Sequence, residues 1–89
     1  MFTNFGPREE LYALPMVARL RSLGVLCELY PDQDKMKKQL VYANRKEIPY
    51  VILAGDSEID TQKFTLKNMT SGDQQLLSAE ELENFFASK

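Results

Sequence analysis

The chain has 89 residues, enough for one domain with a single core but not for a deep, enclosed active site. Its hydrophobic share of 44% and charged share of 27% are those of an ordinary globular domain, and a net charge of −2 gives no overall pull toward nucleic acid or membrane, so any anion binding must come from a local patch. A single cysteine, Cys27, rules out an internal disulfide, and no apolar run approaches the roughly 18 residues that would cross a bilayer. With no signal-peptide pattern at the N-terminus, these features lead us to expect a reducing, cytoplasmic setting.

In chain order, Phe2 to Phe5 (Phe-Thr-Asn-Phe) alternates and reads as a short strand ended by Gly6 and Pro7. It starts at the first residue, which suggests a piece of a longer polypeptide. Arg8 to Leu23 has helical periodicity, with Leu11, Leu14 and Ala18 on one face, Val17 at its margin, and Leu20 or Arg21 continuing it. Pro15 either kinks this helix or sits near the first turn of a shorter one, and Gly24 suits the position just past its end. Val25 to Tyr30 is an apolar strand interrupted by Glu28. Pro31 and Asp32 end it. Lys35 to Lys46 is a second helix with Asp34 as N-cap and an apolar face of Met36, Leu40 and Ala43, with Gln39 at the margin. Pro49 stops it, and Tyr50 to Ala54 is a strand apolar on both faces, as suits one covered by helices on both sides.

The stretch from Gly24 to Gly55 is therefore a βαβ unit of about thirty residues, the usual length for two parallel strands and a crossover helix. After it, Gly55 to Thr61 reads as a turn, Lys63 to Met69 as an alternating strand, Thr70 to Asp73 as a turn, and Gln74 to Leu77 as a fifth strand. Ser78, with Glu81 three residues on, forms a capping box for a last helix that buries Leu82, Phe85 and Phe86. The order is β-α-β-α-β-β-β-α, an α/β domain spanning residues 1–89.

The chain has no histidine, so Cys–His and Ser–His nucleophile pairs and zinc sites of the usual kind are excluded. It carries neither common glycine-rich phosphate loop. Asp56 and Glu58, in an exposed turn, lack the desolvation that tunes a general acid. The residues point instead to a binding surface. Lys35, Lys37, Lys38, Arg45 and Lys46 make a basic face beside Tyr30 and Tyr42. Cations that hold phosphates and aromatics that stack on unpaired bases are how proteins read single-stranded RNA loops. The same pattern also fits a solvated helix face with two half-buried tyrosines. Glu28, near the C-terminal end of its strand, stands either as an acceptor for a base amino group or as one half of a salt bridge to Lys38 or a neighbour. Cys27, inside an apolar strand, reads as an inert thiol.

Several segments agree in order and spacing with one family. Leu20-Arg21-Ser22-Leu23-Gly24, Glu28-Leu29-Tyr30-Pro31, Lys35-Met36-Lys37-Lys38-Gln39-Leu40, Tyr42-Ala43-Asn44, Ile48-Pro49-Tyr50-Val51 and Gly55-Asp56-Ser57-Glu58 resemble the C-terminal anticodon-binding domain of histidyl-tRNA synthetase. Thr65 to Met69 and Thr70 to Gln74 resemble that branch too, with Asp73 standing where its usual Gly-Glu-Gln pattern has glutamate. The resemblance covers Phe2 to Phe86. It implies a three-layer α/β/α fold with three helices and a mixed five-stranded sheet in order 2-1-3-4-5, strand 4 antiparallel. It also implies that the chain grips the anticodon stem-loop of tRNA(His) while a separate catalytic domain, using ATP and magnesium, attaches histidine. No catalytic residue, metal or cofactor is expected in this piece. Carried over by position, the tRNA-binding residues are Glu28, Tyr30, Gln33, Lys37, Lys38, Gln39, Tyr42, Glu58 and Lys67. The longer protein is expected to be a homodimer through its catalytic domains, the isolated domain a monomer. A protein-interaction domain of the same fold is the competing reading.

Overall fold

The computed structural model describes residues 1–87. Among them the elements are α1 (Pro7–Ser22), α2 (Met36–Arg45), β1 (Tyr50–Leu53), α3 (Asp56–Thr61), β2 (Lys63–Asn68), β3 (Gln74–Ser78) and α4 (Ala79–Ala87). The sheet has order β1-β2-β3 and both pairs are antiparallel, with Ile52 opposite Leu66 and Leu66 opposite Gln75. No helix of the described residues is long and apolar enough to cross a membrane.

Two core clusters sit on the two faces of this sheet. Ile52, Phe64 and Leu66 pack with Phe2, with Ala13, Met16, Val17 and Leu20 of α1, and with Leu82 of α4. Val51 and Leu53, alternating with Ile52 along β1, pack with Tyr30 and with Ala43 and Leu40 of α2. Each fully buried aliphatic or aromatic side chain contributes about 1.5–3 kcal/mol against exposure, so the double-sided burial of β1 anchors the domain. Tyr12 ties α1 to β2: its ring stacks on Phe64 at 4.8 Å and its hydroxyl donates to the Lys63 carbonyl at 2.6 Å.

The structure departs from the sequence reading at four points. First, the buried face of α1 is turned from the expected one: Val17 and Leu20, placed at its margin and continuation, are buried, but its centre is not. Leu11, Leu14 and Ala18 face outward, and the buried stripe is Ala13, Met16, Val17 and Leu20. Both stripes are apolar at helical spacing, so periodicity alone does not choose between them. The helix also runs through Pro15, which is exposed, so the carbonyl it deprives of a donor lies on the hydrated side.

Second, the first two expected strands contribute only single parallel bridges, Phe2 to Leu29 and Phe2 to Ile52. Side chains take over the backbone groups that would extend the ladders. Asn4 N–H donates to Gln39 Oε1 at 2.7 Å, Gln39 Nε2 donates to the Asn4 carbonyl at 2.8 Å, and Arg21 Nε donates to the Cys27 carbonyl at 3.0 Å. Third, residues expected to form a turn after Gly55 form the short helix α3, a fourth helix. The Glu58 carboxylate accepts from the Gly55 N–H at 2.7 Å and so satisfies a donor at the start of α3. Fourth, α2 begins at Met36 with Lys35 as its N-cap. Asp34 lies outside the cap and bonds the Lys35 N–H at 2.9 Å.

Cys27 is half-buried, and its thiol donates to the Val17 carbonyl at 3.6 Å. Burial pushes that thiol above its ordinary range, with Arg21 pulling the other way.

Gln39 is fully buried, and its amide also donates to the Asp34 carbonyl at 2.8 Å. Gln39→Leu leaves the Asn4 N–H without an acceptor in the core. Urea unfolding should show a loss of about 1–3 kcal/mol, the cost of one unsatisfied buried donor. An unchanged midpoint would show that the bracket is dispensable.

The last helix has the expected reciprocal cap: Glu81 N–H donates to Ser78 Oγ at 3.1 Å and Ser78 N–H to Glu81 Oε1 at 2.9 Å. Ser78→Ala should cost about 1 kcal/mol at neutral pH. The Ser78 N–H and hydroxyl hold Glu81 below the usual carboxylate range. Its stabilising effect is therefore present at neutral pH and lost as pH falls through that lowered pKa. Chemical denaturation of Glu81→Gln beside the parent chain should give midpoints that differ at neutral pH and converge in acid. A gap that persists in acid would count against the cap.

Candidate nucleic-acid interface

Lys35 to Lys46 carries five cations and no carboxylate, so the rest of the chain sums to −7 against an overall −2. Asp32 and Asp34 precede this run and Glu47 follows it, so residues 32–47 carry a local excess of +2. α2 presents Lys37, Lys38 and Arg45 to solvent, with Lys35 and Lys46 at its two ends. Lys38 pairs with Asp34 at 3.1 Å while its side chain stays 71% exposed. The hydrogen bond to Asp34 raises the Lys38 pKa, while the Lys35 N–H and then Lys38 hold Asp34 low. Lys46 Nζ lies 6.0 Å from the centre of the Tyr42 ring, within cation–π range.

Several residues singled out from the sequence support this surface from beneath. Tyr30 is buried, meets Tyr42 edge-to-face at 5.2 Å, and accepts Asn4 Nδ2 at its carbonyl. Its ring is thus occupied by protein. Gln39 is the buried bracket already described, and Tyr42 is half-buried. Gln33 is exposed in the loop before α2. Glu28 is exposed, and its carbonyl is engaged by the Phe2 N–H at 2.8 Å. The salt bridge from Glu28 to Lys38 is not formed, because Lys38 turns to Asp34.

A second group gathers on the same side of the sheet. The register places Lys67 opposite Val51 and Gln74, and Thr65 opposite Leu53 and Leu76. Val51 and Leu53 are covered by α2, whereas Gln74 and Leu76 are exposed. The sheet face is therefore closed over β1 and open over β3. On the open side is a hollow of about 340 Å³ lined by Ser57, Glu58, Thr61, Thr65, Gln74 and Leu76. Glu58 is held there at both oxygens, by the Gly55 N–H and by Thr65 Oγ1 at 2.9 Å, which fixes the direction of its remaining lone pairs. Along α2, Met36, Lys37, Leu40, Val41, Asn44 and Met69 line a shallow groove of about 570 Å³. Thr65, Lys67 and Met69 alternate along one strand direction, so half-buried Lys67 stands between hollow and groove.

The arrangement joins cations that can meet phosphates to a polar hollow with an apolar wall, which suits an unpaired base. Sequence reading finds Glu58 and Lys67 but misses Thr65, Gln74 and Leu76 as their partners. The alternation of Thr65 and Lys67 against Phe64 and Leu66 is the available signal. Gln74 and Leu76 need the hairpin register. Asn4 is also missed as a hub: it is buried, donates to Glu10 Oε1 at 3.1 Å and accepts from the Gly6 N–H at 3.3 Å.

Residues 4–89 match the family model described as the anticodon binding domain. The chain is 55% identical over 74 residues to a histidine–tRNA ligase of Christiangramia forsetii, a match covering 83% of this chain and 16% of that protein. It is 50% identical over 82 residues to the corresponding ligase of Phocaeicola vulgatus, covering 92% of this chain and 18% of the relative. The chain thus spans less than a fifth of the length of these curated relatives. A solved histidyl-tRNA synthetase from Nostoc sp. PCC 7120 superposes with a TM-score of 0.89 at 22% identity, over 98% of this chain and 21% of that one, which establishes the fold. With a family model spanning nearly its whole length and an α/β fold to match, the chain belongs to the anticodon-binding domain family.

Proposed function

We propose that this chain is the anticodon-binding part of a longer histidine–tRNA ligase and grips the anticodon stem-loop of tRNA(His). The observation that carries this reading is the coincidence of two facts. The family match spans the chain, and the stretch richest in cations flanks the open face of the sheet. In this reading Lys37 and Lys38 meet phosphates, Gln33 and Glu28 border the path of the loop, and Glu58 and Lys67 face bases. Tyr30, Gln39 and Tyr42 hold α2 and the strand ends in place beneath.

The five-strand order 2-1-3-4-5 belongs to the same proposal. The two parallel bridges of Phe2 support it, because they set Phe2 between Leu29 and Ile52. Attachment of histidine, with ATP and magnesium, falls to the remainder of the longer protein. None of this chain's residues is assigned to either. We take the longer protein to be a cytoplasmic homodimer and the isolated domain to be a monomer.

A domain with net charge −2 binds RNA weakly alone, since phosphate contacts dominate affinity. The domain on this view supplies discrimination and the rest of the ligase supplies much of the affinity. NMR titration of the labelled chain with a tRNA(His) anticodon stem-loop and with a scrambled-anticodon loop separates the two contributions. Cognate-only shifts at Glu58, Thr65, Lys67 and Gln74 are expected. Equal, scattered shifts on the lysines with both loops would reduce the domain to a phosphate contact and remove the specificity claim.

Two substitutions divide the roles further. Lys37→Ala should weaken both loops alike and flatten the salt dependence of binding, with a slope change of about 0.7–0.9 for the one phosphate no longer neutralised. Lys67→Ala should lower cognate affinity on the order of tenfold, near the low end of what one base contact is worth, and leave the scrambled loop little changed. If Lys67→Ala weakens both loops equally, Lys67 is a phosphate contact instead.

A further inference from the structure

The outer face of α1 is unlike the outer face of a solvated helix. Pro7, Leu11, Leu14, Pro15, Ala18 and Ser22 follow one another along the helix, opposite the buried stripe, and none is charged. Leu11 is 70% exposed and Leu14 43%. A helix that is apolar on both faces is normally covered on both. The nearest cations are drawn aside: Arg8 pairs with Asp56 at 3.1 Å and Asp60 at 3.7 Å on α3, Arg19 pairs with Glu83 at 2.7 Å on α4, and exposed Arg21, seven residues on from Leu14 at the edge of the band, turns its Nε to the Cys27 carbonyl at 3.0 Å. The stripe is left as an uncharged band bordered by the Arg8 and Arg19 ion pairs and, at one edge, by Arg21.

We infer that this band is the surface on which the domain docks against the remainder of its own longer polypeptide. The inference rests on the proposed function, in which the chain is one domain of a ligase. Two observations select this occupant. The matched relatives are more than five times longer than the segment they share with this chain, so a tethered partner is at hand. The area also fits. Sixteen residues of helix make a band about 24 Å long and 10 Å wide, or on the order of 500 Å² counted over both partners. That is well short of the ~1,200 Å² a stable complex between free chains needs, which argues against a second copy. It falls just under the ~600 Å² lower end for domains of one chain, so the contact depends on the high effective concentration that a tether supplies. The band also lies on the side of the sheet opposite α2, so docking there leaves the cationic face open to RNA.

Hydroxyl-radical footprinting read by mass spectrometry tests this on two samples. One is the 89-residue chain alone. The other is the same chain exchanged for the matching segment of the Christiangramia forsetii ligase. Oxidation of Leu11 and Leu14 should fall several-fold in the joined protein, with Met36 and Val41 on the α2 side unchanged as references. As a second readout, Leu11→Ser combined with Leu14→Ser should lower the melting temperature of the joined protein by more than that of the isolated chain, where only the half-buried part of Leu14 and helix propensity are lost. Equal falls in both would count against docking. Equal oxidation in both samples overturns the inference. So does protection that appears in the isolated chain as its concentration rises, which would make the occupant a second copy. Binding of the cognate stem-loop is scored separately: loss of anticodon preference with Leu11 and Leu14 still protected would remove the RNA reading and leave the docking face standing.

Discussion

Everything in this domain hangs on the insertion of its first four residues between two other segments. Phe2 is fully buried, and the chain around it exchanges hydrogen bonds on both sides. On one side Phe2 N–H donates to the Glu28 carbonyl and Tyr30 N–H to the Phe2 carbonyl. On the other, Thr3 N–H donates to the Ile52 carbonyl and Ile52 N–H to the Met1 carbonyl. The Phe2 ring meets Phe64 edge-on at 6.0 Å, so the same residue joins the backbone network to the core under α1 and α4. Without this insertion β1 would lose one neighbour, and the segment ending at Tyr30 would lose its backbone tie to the sheet. The position of α2, which follows that segment by a short loop, depends on it in turn.

How much of this can be read from the sequence varies with how local the determining contacts are. The hairpin of β2 and β3 and the reciprocal cap of α4 depend on neighbours a few residues apart, and the residues announce them. The cationic face of α2 follows from helical spacing alone. The phase of α1 does not, because Leu11, Leu14 and Ala18 make as good a stripe as Ala13, Met16, Val17 and Leu20. Only tertiary packing distinguishes them. The two N-terminal strands are overread for a related reason. Val25 to Tyr30 has strand composition, but a ladder needs free backbone groups, and Arg21 and Gln39 have taken some of them from afar. At the interface, Tyr30 and Gln39 stand out in the sequence as special, yet they are buried where an RNA-facing role would need them exposed. A conspicuous polar or aromatic residue in a motif marks a constraint, and the constraint here is burial.

The segregation of charge reconciles two facts that conflict when only totals are considered. An acidic protein is a poor partner for RNA, yet this one belongs to a family named for binding it. Grouping five cations on α2 and its ends, with most carboxylates on α1, α3, α4 and their flanks, gives α2 a local positive excess that acts within a screening length of about 8–10 Å. The open part of the sheet lies on the α2 side. In the proposed reading, the contacts assigned to Glu58 and Lys67 and those assigned to Lys37 and Lys38 are approached from the same side of the sheet.

In open sheets of parallel strands, small ligands usually enter the crevice beyond the carboxyl ends of the strands. In this domain the described sheet is antiparallel and the parallel pairing is limited to the two bridges of Phe2, and the space beyond those bridges is filled. Asn4 and Gln39 lock together across it, Thr3 Oγ1 accepts the Ala54 N–H at 3.1 Å, and the Asn4 amide reaches both the Tyr30 carbonyl and Glu10. With these groups bonded to one another, the solvent-open part of the sheet is its flank over β3, where Gln74 and Leu76 are exposed. A flank suits an extended polymer better than a small molecule. The Asn4–Gln39 plug also ties α2 to the N-terminal segment through two amide hydrogen bonds, so the placement of the cationic helix is set by the first residues of the chain as well as by the loop before it.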